Sequence, residues 1–213
     1  MARPRKYDDA DVLDRAVEVF WLKGFAATSI QDLVEATGLN RGSLYNAYGD
    51  KAGLFAAAIE RYGSLSPLRA MVKHQNDAPP RQSIERLFRD LVAIAGADRA
   101  HRGCLLTNTA TELCALDRDM QQRIAENFGD AEDALCRLVE RGQAAGVIAA
   151  GRPPRALARG LLATMQGLWV MSKVDPEPER LRDIADAGLA MLDAPPCRRV
   201  AAPDERMEEE RIS

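Results

Sequence analysis

The chain has 213 residues, and its 29 lysines and arginines stand against 32 aspartates and glutamates, which gives a formal net charge of −3. This length allows one or two compact units, and the slightly acidic balance means that any affinity for nucleic acid must come from a local basic patch. No apolar run reaches the roughly 20 residues that a membrane-spanning helix needs, and the N-terminus lacks the apolar stretch of a signal peptide. We therefore expect a cytoplasmic protein with no membrane partner.

The N-terminus carries the basic patch, formed by Arg3, Arg5 and Lys6. A flexible basic arm in front of a DNA-reading domain can enter the adjacent minor groove. A solvated terminus without a partner is an equally good interpretation. The first helix is predicted over residues 8–23, with an apolar stripe made of Leu13, Ala16, Val17 and Phe20.

The next stretch predicts two short helices joined by a glycine turn. Thr28 and Gln31 have the spacing of a capping box, which would start the first of these helices at the following residue, Ser29. Gly38 ends that helix, and Asn40 caps the next one. Two short helices around a tight turn are typical of a helix-turn-helix DNA reader.

The second short helix has polar residues on its outer faces. Leu44 and Tyr48 share the inward face at i, i+4 spacing. Arginine can reach guanine, asparagine can pair with adenine, hydroxyls can reach phosphates, and glycine permits close approach. Asp50 caps the following helix and leaves a lysine among exposed amides, a setting that favours phosphate. The predicted DNA contacts are Arg41 and Asn46 for base discrimination, and Thr28, Ser29, Gly42, Ser43, Tyr45, Lys51, Arg3 and Arg5 for binding the DNA backbone.

The run from Gly24 to Phe55, GFAATSIQDLVEATGLNRGSLYNAYGDKAGLF, resembles the DNA-binding signature of the TetR/AcrR transcriptional regulators. The matching motifs are a Gly-aromatic pair, a Thr-Ser cap, Ala-x-Gly-Leu in the turn, Gly-Ser-Leu-Tyr, and Asp-Lys-x-x-Leu-Phe. Ala47 stands where many members have histidine, and Tyr48 stands where phenylalanine is usual. The resemblance covers about the first third of the chain. It implies an all-α fold, with an N-terminal three-helix helix-turn-helix domain and a C-terminal helical domain for ligand binding and dimerisation.

The remaining chain shows helical patterns almost throughout, with no internal repeat and no β-type alternation. Domain boundaries are predicted at residues 1–50 for the DNA-binding domain and 51–194 for the effector-binding and dimerisation domain. The charged segment 195–213, ending DERMEEERIS, is expected to be a disordered tail. Pro79 and Pro80 mark a break, and helices are predicted from Gln82, over Cys104–Leu113, Asp119–Ala145 and Arg155–Val174, and over Pro178–Leu192.

The helix predicted from Arg155 is apolar nearly all round, so it needs cover on more than one side. A second subunit would provide that cover, and the family resemblance implies a four-helix interface between the last two helices and their copies. Gly160 and Gly167 would let helices approach closely there. Burial within a monomer is the alternative. The candidates for the homodimer interface are Leu161, Leu168, Trp169 and Met171.

The resemblance also implies an effector pocket, and the most distinctive stretch of the second domain is HRGCLLTNTATELCALD. On a helix, Cys104, Asn108 and Glu112 lie on one side, which makes them effector or redox candidates. Cys104 follows Arg102 near a helix N-terminus, where positive charge favours the reactive thiolate, so it is a candidate sensor of electrophiles or oxidants. The alternative is a buried cysteine that packs as a small hydrophobic residue.

Other chemistry finds little support. His101-x-x-Cys104 offers two metal ligands, too few for a site, and we expect neither a metal nor a cofactor. There is no Gly-rich phosphate loop, no Gly-x-Ser-x-Gly elbow and no histidine beside a serine, so we do not expect an enzyme. The expected function is a homodimeric repressor that binds a double-stranded DNA operator and is released by a small-molecule or thiol-reactive effector. Two alternatives are an effector-independent DNA-bridging protein and a cysteine-dependent redox enzyme with an appended reader.

Overall fold

The computed structural model describes residues 8–69 and 78–193, and within those ranges the regular structure is entirely helical. The predicted all-α class is therefore confirmed. The basic arm with Arg3 and Arg5, and the charged tail from residue 195, lie outside the described residues. Among the helices of the described ranges, none has the length and apolar character needed to cross a membrane.

The helices follow the sequence prediction closely, with most ends within a few residues of the predicted ones. They are α1 (Asp9–Ala27), α2 (Ile30–Thr37), α3 (Arg41–Tyr48), α4 (Lys51–Ser64), α5 (Pro80–Ala97), α6 (Leu105–Leu113), α7 (Arg118–Ala144), α8 (Pro154–Val174) and α9 (Pro178–Leu189), followed by a 3-10 turn (Ala190–Leu192).

Two side-chain caps set the starts of α3 and α4 as predicted. Asn40 Oδ1 accepts a hydrogen bond from the Ser43 amide at 2.8 Å, and Asp50 Oδ1 accepts one from the Gly53 amide at 2.7 Å. Each cap satisfies an amide that the helix itself leaves without a partner. The caps therefore divide residues 28–64 into short helices, and the starts of α3 and α4 lie where the sequence alone predicts them.

The capping box of α2 uses different residues from those predicted. The Ser29 hydroxyl accepts from the Asp32 amide, and the Asp32 carboxylate accepts from the Ser29 amide at 2.9 Å. The predicted box of Thr28 and Gln31 is wrong, because the Thr28 hydroxyl turns away and donates to the Gly24 carbonyl at 2.6 Å. Thr28 and Ser29 are adjacent, and because the Thr28 hydroxyl bonds a carbonyl near the end of α1, Ser29 is the residue that caps α2.

Two apolar clusters form the interior. The first contains residues of α1 to α4, including Phe20, Leu33, Leu44 and Phe55, and it also contains Leu105 and Leu113 of α6 together with Met120 and Ile124 of α7. The second is formed by α5, α7, α8 and α9. The partly buried Tyr62 and Leu106 pack against both clusters. Helices α1 to α4 are thus packed continuously against the helices that follow them.

Helix α8 is covered mainly by its own protomer. Leu161, Leu168 and Trp169 are 0%, 1% and 7% exposed and belong to the second cluster. The assignment of these three residues to a dimer interface is therefore corrected: α5, α7 and α9 already enclose that face, which leaves it no surface for a partner. Met171 is only partly buried. Val170 and Val174, at 47% and 76% exposed, lie on the outward side of α8.

Candidate nucleic-acid interface

Helix α3 presents polar residues to solvent while one leucine anchors it. Leu44 is 4% exposed and packs in the first cluster. Arg41, Gly42 and Asn46 are exposed, and the side chains of Ser43 and Tyr45 are partly exposed. The structure therefore brings together, on the outside of one short helix, the five residues of α3 that the sequence predicted to contact DNA.

Arg41 and Tyr45 contact each other one helical turn apart. The Arg41 Nη2 donates to the Tyr45 hydroxyl at 3.2 Å, and the guanidinium carbon lies 5.3 Å from the centre of the tyrosine ring. A guanidinium has five N–H donors in a planar fork, so this contact leaves most of them available. The pair holds the guanidinium above the helix surface, an arrangement that reduces the entropy lost when it binds a base edge.

Lys51 is placed differently from the phosphate-facing lysine that the sequence suggested. Its ammonium donates to the carbonyls of Phe25 and Thr28, both at 2.9 Å, and lies 4.3 Å from the centre of the Phe25 ring. Two of its three N–H groups therefore bind the end of α1. Thr28 is 2% exposed. The Thr28 hydroxyl is buried and donates to the Gly24 carbonyl, so the predicted phosphate contact through that side chain is corrected.

The N-terminus of α2 lies at the surface beside an ion pair. Ser29 is exposed, and its hydroxyl also donates to Asp32 Oδ2 at 2.9 Å. Lys23 Nζ donates to the other Asp32 oxygen at 2.7 Å. The Lys23 ammonium, followed by the Ser29 amide and hydroxyl, lowers the pKa of Asp32 from its ordinary value of 3.8 to about 2.

A contact that the sequence did not predict joins α6 to the end of α1. Helix α1 breaks at Gly24, whose φ of 78° and ψ of 170° are non-helical. The next two amides, of Phe25 and Ala26, donate to the Glu112 carboxylate at 3.1 and 2.7 Å. The predicted role of Glu112 in an effector site is therefore corrected, because both of its oxygens bind the reader. The Gly-Phe pair was visible in the sequence, but its partner lies 86 or more residues away.

A cavity of about 230 Å³ lies between α4 and helices α5 to α8, and Cys104 is part of its wall. The apolar part of the wall includes Leu106, Met165 and Trp169, and the polar part includes Tyr62 and Gln166. Burial raises the pKa of the Tyr62 hydroxyl, and the adjacent Cys104 thiol raises it further. Tyr62 therefore stays protonated beside the thiol at neutral pH. Cys104 itself is 7% exposed.

Asn108 does not line that cavity. Its amide nitrogen donates to the Arg102 carbonyl at 2.8 Å, and its oxygen accepts from Lys173 Nζ at 2.9 Å. Its predicted role as an effector contact is corrected, since these two bonds link α6 to the preceding loop and to α8. Within residues 8–69 and 78–193, no three histidine, cysteine, aspartate or glutamate side chains are grouped closely enough to hold a metal ion.

Arg102 is held against α1 by a contact with an aromatic ring and by an ion pair. Its guanidinium carbon lies 4.0 Å from the centre of the Trp21 ring, and its nitrogens bond the carboxylates of Glu18 and Asp98. The Trp21 indole nitrogen donates to the Gly103 carbonyl at 3.1 Å. The loop before α6 and the end of α6 therefore both contact α1.

Two sequence families match this chain. Residues 12–58 match the bacterial regulatory proteins of the tetR family, and residues 80–198 match the tetracyclin repressor-like C-terminal domain. The uncharacterized HTH-type transcriptional regulator YezE of Bacillus subtilis is 34% identical over 200 residues, which cover 91% of this chain and all of that protein. The HTH-type transcriptional repressor ComR of Escherichia coli is 30% identical over 194 residues, covering 89% of this chain and 90% of ComR.

A solved structure with the same fold contains DNA. It is a cysteine mutant of the TetR family transcriptional regulator CifR, complexed with a 26-base-pair double-strand operator. It is 30% identical in sequence, has a TM-score of 0.75, and covers 88% of this chain and 98% of its own. The matches extend from the reader through the C-terminal helices. The chain belongs to the TetR family of bacterial regulatory proteins, and it is a DNA-binding transcriptional regulator.

Proposed function

We propose that this protein is a homodimeric repressor that occupies a DNA operator through α3 and leaves it when an effector enters the cavity beside Cys104. The observation that carries the proposal is the outer face of α3, where Arg41, Gly42 and Asn46 are exposed on a helix anchored by Leu44. The name of ComR as a repressor and the operator complex of CifR support it.

On DNA, we assign base contacts to Arg41 and Asn46, because a guanidinium can bind guanine and an amide can bind adenine through two hydrogen bonds each. Phosphate contacts come from partly or fully exposed hydroxyls and from the basic arm. Lys51 retains one N–H for a phosphate. The proposed phosphate contacts are then Ser29, Ser43, Tyr45, Lys51, Arg3 and Arg5, with close backbone approach at Gly42.

The domain proposal keeps residues 1–50 as the reader and 51–194 as the effector-binding and dimerisation domain. Helix α4 belongs to both, because Leu54 and Phe55 lie in the first cluster while Tyr62 packs against both clusters and lines the cavity. A movement of the cavity wall would therefore reach the reader through α4 as well as through α6.

We place the dimer interface on the outward face of α8 and α9. That face of α8 carries Ala163, Gly167 and Val170, and a Cβ added at Gly167 would meet no atom within 4 Å. Small residues allow a helix from a second copy to approach closely. Met171 stays a candidate at its edge. A two-fold axis here would place two α3 helices about 34 to 36 Å apart, the spacing of successive major grooves, if the dimer follows the usual helix-turn-helix geometry.

For the effector we consider two chemistries. A thiol-reactive electrophile would form a bond to Cys104 Sγ, and the proton that the thiol loses would end on the adduct, while the neighbouring Tyr62, which stays protonated, can donate a hydrogen bond to the oxygen of an unsaturated carbonyl compound. A reversible apolar ligand would instead fill the space beside Leu106, Met165 and Trp169. The presence of Cys104 in the cavity wall favours the first.

The test is a fluorescence-anisotropy titration of a duplex carrying the gene's own upstream region. The protein is used fully reduced or after treatment with N-ethylmaleimide, and Cys104→Ser is compared with Cys136→Ser, a buried cysteine outside that cavity. We expect tight binding when reduced, loss of binding on treatment, and retention only in Cys104→Ser. Binding unaffected by treatment would move the search to a reversible ligand.

The same assay separates the other classes of function. An effector-independent DNA-bridging protein would bind the duplex equally under every condition and would show higher-order complexes. A cysteine-dependent redox enzyme would consume many equivalents of peroxide or quinone per protein, whereas a sensor reacts once per thiol. No specific binding of the reduced protein to any upstream duplex would refute the repressor proposal.

A further inference from the structure

Glu112 extends from α6 to the last residues of α1, which follow the break at Gly24 and lead into α2. One oxygen accepts from the Phe25 amide at 3.1 Å and the other from the Ala26 amide at 2.7 Å. We propose that this contact, which we name the Glu112 clasp, holds the DNA-reading helices in the orientation that binds the operator. Glu112 is then a positioning residue for DNA binding. The inference rests on the proposed function, because it concerns how that binding is controlled.

The turn that Glu112 binds is shaped for a carboxylate. The break at Gly24 restarts the helix, so the amides of Phe25 and Ala26 lie in a new first turn and have no helical carbonyl to bond. A carboxylate with an oxygen for each amide satisfies both, and charged acceptors make the stronger hydrogen bonds. A Cβ at residue 24 would lie 2.9 Å from the nearer Glu112 oxygen. Gly24 therefore provides both the break and the space.

The opposite side of the same turn is bound by a cation. Lys51 at the start of α4 donates to the Phe25 and Thr28 carbonyls. The turn thus lies between a carboxylate from α6 at its amides and an ammonium from α4 at its carbonyls. Thr28 directly precedes Ser29, the cap of α2. A shift of the turn must therefore move the start of α2, and with it the helix pair that carries the DNA-binding face.

Helix α6 connects this turn to the cavity. Cys104 lies immediately before α6 and lines the cavity, while Glu112 lies eight residues later, about 12 Å along the helix axis. The loop before α6 also contacts α1, through the bond from Trp21 to the Gly103 carbonyl. Because a nine-residue helix moves nearly as a rigid rod, a group added at Cys104 that tilts α6 shifts one or both contacts with α1.

The test compares Glu112→Gln with Glu126→Gln. Both remove one negative charge, but Glu126 is an exposed residue of α7 whose side chain bonds Gln122. Glutamine at 112 keeps the length and loses the second acceptor, since its amino group would face an N–H. We expect Glu112→Gln to bind the operator about tenfold more weakly, within the range of positional coupling effects, and Glu126→Gln to bind within about twofold of the parent protein.

The sign of the effect separates positioning from simple electrostatics. Loss of a negative charge alone would strengthen binding to DNA. The clasp is therefore supported if Glu112→Gln binds the operator more weakly than the parent protein while the affinities of both proteins change with salt concentration by the same factor. The factor by which N-ethylmaleimide weakens operator binding should also fall toward one in this variant. Equal or tighter binding, with the same response to N-ethylmaleimide, would overturn the inference.

Two further measurements keep the test decisive. If Glu112→Gln loses helicity by circular dichroism, Glu112→Asp keeps the charge but cannot reach both amides, and it should show an intermediate loss of affinity. Without DNA, amide hydrogen exchange at Phe25 and Ala26 should be faster in Glu112→Gln and unchanged in Glu126→Gln. Protected amides in both variants would refute the clasp. Failure of the unmodified protein to bind any operator, with exchange as expected, would refute the proposed function and leave the clasp in place.

Discussion

Helices α3 and α6 are both short, and both carry a line of polar side chains that the sequence marked as functional. On α3, Arg41 and Asn46 are exposed at the surface of the molecule. On α6, Asn108 and Glu112 bond the protein's own backbone and a lysine of α8. The difference shows that a line of polar side chains on a helix identifies a binding surface only where the fold leaves those side chains exposed and does not bond them to other elements of the protein.

The largest expected effect tests the exposed side of this comparison. Arg41→Ala should cost about 1 to 3 kcal/mol of binding free energy on the operator and much less on random DNA, because one guanidinium reads a base edge. Anisotropy titrations on both duplexes measure it. The matched variant Asn108→Ala should leave direct recognition unchanged, so that operator and random DNA are affected equally. An equal loss on both duplexes for Arg41→Ala would show that Arg41 contacts the DNA backbone and does not read a base.

Lys51 sharpens the comparison, because it lies in the reader yet bonds internally like the residues of α6. Lys51→Met should lower the free energy of unfolding by about 1.5 kcal/mol, since two carbonyls lose a charged donor. Urea unfolding gives this value. The salt dependence of DNA binding then shows whether Lys51 also contacts a phosphate. If it does so through the remaining N–H, the slope of log K for DNA binding against log salt concentration should be smaller by about 0.9 in the variant. An unchanged stability would contradict the structural role.

The DNA-binding domain contains a buried hydroxyl, on Thr28, and a partly exposed hydroxyl, on Ser43. Thr28→Val keeps the side-chain shape and removes the bond to the Gly24 carbonyl, so it should cost about 1 kcal/mol of folding stability. Ser43→Ala should leave stability nearly unchanged and weaken binding to operator and random DNA alike by about 1 kcal/mol, the usual contribution of one hydrogen bond. Thermal unfolding and anisotropy separate them, and the reverse pattern would show that the two hydroxyls are wrongly assigned.

The smallest expected effect is on the folding stability at acidic pH. The pKa of Asp32 lies at about 2 in the folded protein and at 3.8 when unperturbed, because Lys23 and Ser29 favour the carboxylate. A lowered folded pKa stabilises the protein above pH 4, and this contribution disappears as the pH falls from about 4 to about 2. The difference in melting temperature between the parent protein and Asp32→Asn should therefore shrink across that window. A constant difference would show that the ion pair does not form in solution.

Much of the fold could be predicted because its determinants are local. Asn40 and Asp50 each cap the helix that begins at the next residue, by accepting from the amide three residues ahead, and Gly38 ends α2. The apolar periodicity of α8 and α9 marks their lengths within a few residues. The motif between Gly24 and Phe55 was enough to indicate the family. The exposed face of α3 was also predictable, since one buried leucine at a known helical position determines which residues point outward.

What the sequence by itself determined is therefore the helical fold, the caps of α3 and α4, and the composition of the DNA-binding face. Only the tertiary structure decided which polar and apolar side chains already have partners inside the protomer. Leu161 and Trp169 look like interface residues until α5 and α7 cover them, and Glu112 looks like a ligand anchor until Phe25 and Ala26 reach it. The physical reason is that burial and hydrogen bonding depend on residues far apart in the chain, whereas caps and periodicity depend on neighbours.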